Sequence, residues 1–427
     1  MANYQVPRGT QDVYEEAMDK WHYLEELIRD FTTVYNYKEH RTPVFEHSEV
    51  FNRENDSSDL VNKEMYTFQD NSGRSLTLRP EGTAGVIRSY VENKLFAQAD
   101  QPYKCYYLSP NFRYERPQKG RMRIHHQFGA EIIGTKNPVV DAELILLGYS
   151  FVKAVGLNDL KVLINTLGDQ LSRDAYRQAL LDYFKPHLDK LCPDCERRYR
   201  QNPLRILDCK VDKDSEILKN APHLSGYLNE ESKTYFSGML SCLDDLEIPY
   251  EVDDKLVRGL DYYAHTVFEV VSSNPDMGSQ STIFGGGRYD NLVEYFGGPS
   301  LSGIGFGMGI ERLLVACESE KIAYPEEDGI DIFVMPLAAA YQRPALQVAT
   351  ECRANGYSTD MDFLGRSLKA QFKTVERKKA QVVIIIGEDE INKGELTLKQ
   401  TASQKSETIK RERLIEVLDS WFLEAED

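Results

Sequence analysis

Four segments of this 427-residue chain combine arginine with glycines or tyrosines in ways that could serve a ligand site, the first and the last of them for an anion. The first is Phe112-Arg113-Tyr114-Glu115-Arg116-Pro117-Gln118-Lys119-Gly120-Arg121-Met122-Arg123. A planar guanidinium meets two phosphate oxygens at once, so several of them on one loop could form a clamp. On charge alone the segment reads better as a solvated hairpin tip. In the second, Leu256-Val257-Arg258-Gly259-Leu260-Asp261-Tyr262-Tyr263, the glycine beside Arg258 would let a ligand approach and the tyrosines supply aromatic wall and hydroxyls, although a turn with core aromatics accounts for it equally. The third, Phe284-Gly285-Gly286-Gly287-Arg288-Tyr289-Asp290, has three glycines in a strand context, which signals close backbone approach, often to a ligand. It has neither Walker nor dinucleotide-fingerprint spacing. In the fourth, Gly303-Ile304-Gly305-Phe306-Gly307-Met308-Gly309-Ile310-Glu311-Arg312-Leu313-Leu314, a glycine-rich strand runs into a helix. Arg312 would then sit near backbone amides that helix geometry leaves open to an anion.

The elements that must hold these segments can be read from periodicity. Trp21, Leu24, Leu27, Ile28, Phe31 and Val34 recur at helical spacing and predict one buried face of an amphipathic helix. Leu76 to Arg79 reads as a short strand, Pro80 to Thr83 as its turn, and Val86, Ile87, Tyr90 and Val91 as the buried side of the helix that follows. Strand-like runs at Cys105 to Tyr114 and His126 to Ile133 flank the first arginine segment, which becomes a long charged hairpin loop. A further strand covers Val267 to Val271, and the triple glycine is expected to interrupt the next one. Strands without regular helical crossovers predict an α+β fold, built on a large, mostly antiparallel sheet flanked by helices. Residues 170–248 are helical, highly charged and punctuated by proline, as an inserted subdomain would be. Beyond the acidic stretch near residue 325, the apolar runs Ile330 to Val334 and Val382 to Ile386 predict a small α/β domain with a buried sheet.

Bulk properties narrow the class. A chain of this length carries two to three domains. The first thirty residues hold no apolar signal-peptide core and no later stretch is long enough to span a bilayer, so a cytoplasmic protein without membrane association is expected. Seven irregularly spaced cysteines argue against a disulfide framework. The net charge of -17 excludes little, because phosphate binding depends on a local basic surface.

Together the motifs resemble those of the histidine-specific class II aminoacyl-tRNA synthetases. Arg113 and its loop resemble motif 2, Gly303 to Leu314 motif 3, and the region of Pro43 the degenerate motif 1. Arg258 to Tyr263 and Gly285 to Asp290 are similar to the two histidine-specific signatures, and Pro7-Arg8-Gly9-Thr10 and Arg79-Pro80-Glu81-Gly82-Thr83 also match. The resemblance spans essentially the whole chain. It implies a catalytic domain over 1–325, interrupted by the insertion at 170–248, and an anticodon-binding domain over 329–427. It further implies a homodimer that activates L-histidine with ATP and magnesium and loads it onto tRNA(His).

The resemblance also assigns roles. Glu81, Thr83 and Gln127 would hold the amino group of histidine, Glu131 and Tyr263 would bracket the imidazole nitrogens, and Tyr262 would line the pocket. Arg113 and Arg258 would grip the α-phosphate from two sides, Arg121 and Arg312 the outer phosphates, and Glu115 would approach the adenine. Arg116 and Gln118 would meet the acceptor end of the tRNA. In the last domain Arg366, Lys369, Lys373 and Arg377 fall at helical spacing, as phosphate contacts or as a solvated face. The chain departs from the family at Ile124 and His125, where relatives carry a polar residue and phenylalanine; His125 would stack on adenine with a smaller, titratable ring.

Cys192-Pro193-Asp194-Cys195 and Cys209 have part of a zinc pattern, but no fourth ligand is evident in sequence beyond the nearby His187, and structural zinc is not expected. A competing function is that of synthetase-like regulatory subunits, which bind histidine without charging tRNA. Those lack the anticodon-binding domain and lose parts of the histidine signatures, both of which this chain retains. A binding module of a kinase is excluded by the missing kinase motifs.

Overall fold

The computed structural model describes residues 4–52, 64–207, 209, 211–212, 214–257, 262–325 and 329–426. Two compact units divide the chain, residues 1–324 and 325–427.

In the first unit, α1 (Glu16–Val34) buries Trp21, Leu24 and Ile28 at helical spacing against the main core. Val34, expected on that face, is exposed in the final turn, where the helix ends and Asn36 turns the chain with a positive φ. Strands β1 (Lys38–Glu39), β2 (Phe45–His47), β3 (Tyr66–Gln69) and β4 (Ser75–Leu78) follow. The last three form a small sheet in the order β2-β4-β3. Next, α2 (Thr83–Glu92) buries Val86, Ile87 and Tyr90.

The main sheet is completed by β5 (Tyr103–Phe112), β6 (Ile124–Ile133), β7 (Leu160–Thr166), β8 (Tyr250–Val252), β9 (Tyr263–Ser272), β10 (Thr282–Tyr289) and β11 (Gly303–Gly309). Its order is β1-β5-β6-β11-β10-β9-β7-β8, with only the two outermost pairs parallel. This is the mostly antiparallel sheet expected from the absence of regular crossovers. The triple glycine does not interrupt its strand. β10 continues through Gly285, Gly286 and Gly287 because β9 and β11 pair with it on both sides, regularly with β11 and with a register shift against β9 between Gly287 and Arg288.

A buried ion pair pins the sheet to α3 (Pro138–Val155), which packs on its core side. Arg288 of β10 and Asp141 of α3 are both fully buried. The Arg288 Nε donates to Asp141 at 3.0 Å, and its Nη1 donates to the Thr135 carbonyl at 2.8 Å and Ser302 Oγ at 2.6 Å. Thr266 and Tyr235 hydroxyls also donate to Asp141, so the buried carboxylate is saturated.

Within residues 170–248 lie α4 (Gln170–Phe184), α5 (Pro193–Gln201), the single turn α6 (Glu216–Lys219) and α7 (Glu230–Asp245). Tyr176, Leu180, Phe184, Cys195 and Ile206 gather there with Val267 of β9 in a core of their own. After the short α8 (Leu292–Tyr295), β11 leads directly into α9 (Ile310–Ser319).

The second unit contains β12 (Ile332–Pro336), α10 (Gln342–Ala354), β13 (Thr359–Met361), α11 (Leu368–Arg377), β14 (Val382–Ile386), α12 (Glu388–Lys393), β15 (Glu395–Gln400), β16 (Ser406–Lys410) and α13 (Leu414–Glu426). Its sheet order is β13-β12-β14-β15-β16, parallel among the first three strands and antiparallel in the rest. Both apolar runs lie at its centre and are almost wholly buried, which is why their sequence does not alternate. Lys369, Lys373 and Arg377 are exposed on or at the end of α11. Arg366 lies before the helix, where its Nη1 donates to Thr374 Oγ1 at 3.0 Å and its amide to Asp362, so the four cations do not form one helical row. No described helix is long and apolar enough to cross a membrane.

Candidate active site

The floor of the site is one face of four neighbouring strands. Side chains alternate along a strand, so Gln127, Gly129 and Glu131 of β6 share a face with Tyr107 and Asn111 of β5. The same face continues through Gly303, Gly305, Gly307 and Gly309 of β11 and through Gly285, Gly287 and Tyr289 of β10. The glycines make room for large neighbours to lie across the sheet. A methyl group on Gly305 would overlap the Glu131 carboxylate, and one on Gly307 the Gln127 amide. Likewise Gly287 makes space for the Tyr263 ring, and Gly82 and Gly129 for the Tyr107 ring. The close approach expected at the triple glycine is thus, at Gly287, an approach by another part of the protein.

Two cavities open on this face. The larger, of about 300 Å³, reaches the size range of small-molecule sites and is lined by Arg113, Glu115, Arg121, His125, Glu269 and Arg312. The smaller, of about 70 Å³, has room for little more than a side chain and is lined by Glu81, Thr83, Glu131, Tyr262, Tyr263 and Tyr289. Arg113, Gln127, Gly285 and Gly307 border both.

Glu131 dominates the smaller cavity. It is fully buried and accepts hydrogen bonds from Thr83 Oγ1 at 2.7 Å, Tyr107 Oη at 3.3 Å and Tyr289 Oη at 2.9 Å. A carboxylate offers about four acceptor positions, so three protein donors leave roughly one for a ligand. Burial pushes its pKa up to about 8, against the pull of the Thr83 and Tyr289 hydroxyls. Burial and the neighbouring Glu131 push the Tyr107 and Tyr289 phenols well up, so both remain donors. Glu81 precedes α2 and accepts the backbone N–H of Thr83 at 2.7 Å and of Ala84 at 3.0 Å, as a carboxylate at a helix N-terminus does. Gln127 Oε1 accepts from Asn111 Nδ2 at 2.7 Å. The aromatic wall is continuous, with ring centroids of Tyr262 at 4.8 Å from Tyr263 and 6.0 Å from Tyr289.

The larger cavity has the opposite character. Arg113 Nε donates to the Pro80 carbonyl at 2.8 Å, which fixes the guanidinium where the cavities meet. The Arg113 loop returns through a tight turn in which Gln118 and Arg121 exchange backbone hydrogen bonds around Gly120, a residue with φ 71°. Glu115 is buried and pairs with Arg121. Arg116 and Gln118 are exposed on the loop. The Pro7 to Thr10 turn braces it from outside: Arg123 donates its amide to the Gly9 carbonyl at 2.8 Å, and any side chain on Gly9 would meet Pro117 and Arg123. Arg312, in the first turn of α9, donates through Nη1 to the Thr282 carbonyl at 2.9 Å. Next to it Glu311 accepts both the backbone N–H and Nδ1 of His126 and so ties α9 to β6. His125 lines the cavity, and its pKa is held well below the usual imidazole value by burial and by Arg113, His126, Arg312 and Arg121. The ring expected to be titratable is therefore neutral at physiological pH.

The N-terminal 9–313 match the family model described as histidyl-tRNA synthetase, and residues 331–421 the model of an anticodon-binding domain. The chain belongs to the histidyl-tRNA synthetase family. The histidine–tRNA ligase of Oceanobacillus iheyensis is 50% identical over 414 residues, covering 97% of this chain and 96% of the relative. That of Bacillus subtilis is 48% identical over 416 residues, covering 97% and 98%. The crystal structure of apo S. aureus histidyl-tRNA synthetase superposes with a TM-score of 0.83 at 42% identity, over 97% of this chain and 100% of that one.

For a member of the histidyl-tRNA synthetase family, the residues singled out in sequence gather closely. Glu81, Thr83, Gln127, Glu131, Tyr262 and Tyr263 line one cavity, and Arg113, Glu115, Arg121, His125 and Arg312 the other. Arg258 lies outside the described residues. Sequence reasoning missed Tyr107 and Tyr289 as partners of Glu131, Asn111 as partner of Gln127, and Glu269 and Glu311 in the larger cavity. Tyr289 and Glu311 carried a signal, because they stand inside the third and fourth glycine segments.

Proposed function

We propose that this chain is an ATP-dependent histidine–tRNA ligase whose two adjoining cavities hold histidine and ATP, with the α-phosphate at Arg113 where they meet. The observation that carries the reading is that a carboxylate- and hydroxyl-lined cavity and an arginine-lined one share the side chains of Arg113 and Gln127.

An ammonium group only donates. The Thr83 hydroxyl has already committed its proton to Glu131, and the Gln127 carbonyl and the Glu81 carboxylate are acceptors, so all three suit the amino group of histidine. The remaining acceptor position of Glu131 would take an imidazole N–H, with Tyr263 on the other side of the ring. Apolar analogues would leave these buried groups unsatisfied, which gives strong discrimination.

Histidine's carboxylate oxygen then forms a bond to the α-phosphorus while the bond to the bridging oxygen of pyrophosphate breaks. Charge moves among phosphate oxygens and no protein group need transfer a proton, so catalysis is positioning and electrostatic stabilisation. Arg113 bears on the α-phosphate, with Arg258 as its counterpart, and Arg121 and Arg312 on the outer phosphates. Magnesium would suit carboxylate oxygens that line this cavity, such as those of Glu269, and would neutralise phosphate charge. His125 would stack on the adenine, with Glu115 at its edge. Transfer to the terminal ribose of tRNA(His) follows, with Arg116 and Gln118 meeting the acceptor end and residues 329–427 reading the anticodon.

The same reading makes the chain a homodimer built around the Pro43 region. Phe45 and Phe68 are exposed with their rings in contact on the small sheet, and Val44, just before it, is exposed as well, an apolar surface of the kind that association covers. Sedimentation analysis should find the dimer, and Phe45→Glu should yield monomer.

The decisive assay is histidine-dependent exchange of labelled pyrophosphate into ATP, followed by charging of tRNA(His). Arg113→Gln should reduce the exchange rate about 10²- to 10³-fold, the scale for loss of one preorganised charge-stabilising group. A wild-type chain that binds histidine without any exchange would instead be a regulatory subunit.

A further inference from the structure

The helical segment between β7 and β9 carries a cluster that the reaction does not use. Cys192 immediately precedes α5 and Cys195 lies in its first turn, while Cys209 and Asp212 follow the 3-10 turn Pro203–Ile206. The three sulfurs and a carboxylate oxygen all lie within 4.8 Å of one another. We propose that Cys192, Cys195, Cys209 and Asp212 form a structural site for a divalent zinc-class cation, which fastens α5 to the loop that follows it.

The geometry fits a tetrahedral ion. With metal–sulfur bonds of about 2.3 Å and metal–oxygen bonds of about 2.0 Å, a tetrahedron places two sulfurs about 3.8 Å apart and a sulfur and an oxygen about 3.5 Å apart. Cys192 Sγ and Cys209 Sγ are 3.6 Å apart, and Cys209 Sγ and Asp212 Oδ2 3.5 Å apart. The sulfur spacing is far beyond the roughly 2.05 Å of a disulfide. Three sulfurs with one carboxylate oxygen make a donor set that zinc accepts and calcium or magnesium does not.

Backbone hydrogen bonds hold the donors in place as they do around bound metals. The Cys192 amide donates to Asp212 Oδ2 at 3.0 Å, and the Asp212 amide to Cys209 Sγ at 3.4 Å. Cys195 and Cys209 are buried, whereas Cys192 and Asp212 are partly open, which gives the ion a way in. His187, the nearest candidate in sequence, instead packs against the Tyr183 ring at 5.5 Å. The fourth ligand comes from the returning chain. A subdomain with a core this small gains most from such a staple.

The test is the metal content of the full-length protein, purified without chelator under reducing conditions and measured by plasma mass spectrometry. About one zinc per chain is expected, with release when the thiols are titrated with a mercurial. Cys209→Ser should lower zinc content at least tenfold, Asp212→Ala should weaken retention during dialysis, and His187→Ala should leave the content unchanged. Because Cys209→Ser could fail to fold, reconstitution of the wild-type chain with zinc chloride stands as a second measurement. The proposal is overturned if that chain takes up no zinc while Cys192, Cys195 and Cys209 all react with a thiol reagent, or if peptide mapping finds a Cys192–Cys209 disulfide in the native protein.

Discussion

Replacing Tyr289 by phenylalanine removes one oxygen and leaves the ring packed as before, which makes it a sharp test of Glu131. The lost hydroxyl donates to Glu131 Oε2 at 2.9 Å in a fully enclosed setting. Such a bond is worth about 1.5–3 kcal/mol to a charged acceptor and about 1 kcal/mol to a neutral one. The difference, roughly 0.5–2 kcal/mol, favours the ionised carboxylate, and at about 1.4 kcal/mol per pKa unit its loss raises the Glu131 pKa from about 8 into roughly 8.4–9.5. If ionised Glu131 accepts an imidazole N–H, kcat/KM for histidine should rise with pH through about 8 in the wild type and through the higher value in Tyr289→Phe. Near pH 7 the variant should therefore be down about 2- to 30-fold, with the gap closing above roughly pH 9.5. Pyrophosphate exchange at limiting histidine and saturating ATP, taken as the ratio of variant to wild type at each pH, cancels histidine's own titration. A ratio constant across pH would mean that the hydroxyl only packs, and would refute the argument.

The same carboxyl should appear in stability. Its folded-state pKa of about 8 lies above the ordinary 4.5, so its contribution is complete below pH 4.5 and lost as pH rises through about 8. The wild-type melting temperature should fall over that window, and Glu131→Gln should flatten the fall; equal slopes would contradict the burial argument. His125→Phe should lower KM for ATP about 2- to 10-fold, the worth of a better stacking partner, and leave KM for histidine alone, whereas an unchanged KM for ATP would rule out stacking. Asp141→Asn should cost about 3–5 kcal/mol of stability by stranding the Arg288 charge, seen in denaturant melts, with both KM values unchanged in the protein that remains folded.

Much of the architecture is legible from side-chain periodicity, because apolar spacing follows directly from which side of an element meets the core. Trp21, Leu24 and Ile28 mark α1 in this way, and the unbroken apolar runs of β12 and β14 mark a sheet covered on both faces. The arginines of the motif loop and the histidine-specific signatures are local in sequence, so they too could be recognised there. Local reasoning fails where a residue's meaning depends on what lies opposite. The triple glycine looks like a strand breaker until β9 and β11 are paired with it, and Arg366 looks like part of a helical row until Asp362 and Thr374 take it.

The family, most of the elements and the groups able to handle an amino acid and a polyphosphate can be read along the chain. How those groups act on one another depends on the folded arrangement. Tyr107, Tyr289 and Thr83 meet at Glu131 from separate strands and a helix, and Asp212 joins three cysteines across a returning loop. Hydrogen bonding, desolvation and metal-like geometry depend on separations of a few ångströms between residues far apart in the chain, and no linear pattern encodes those distances.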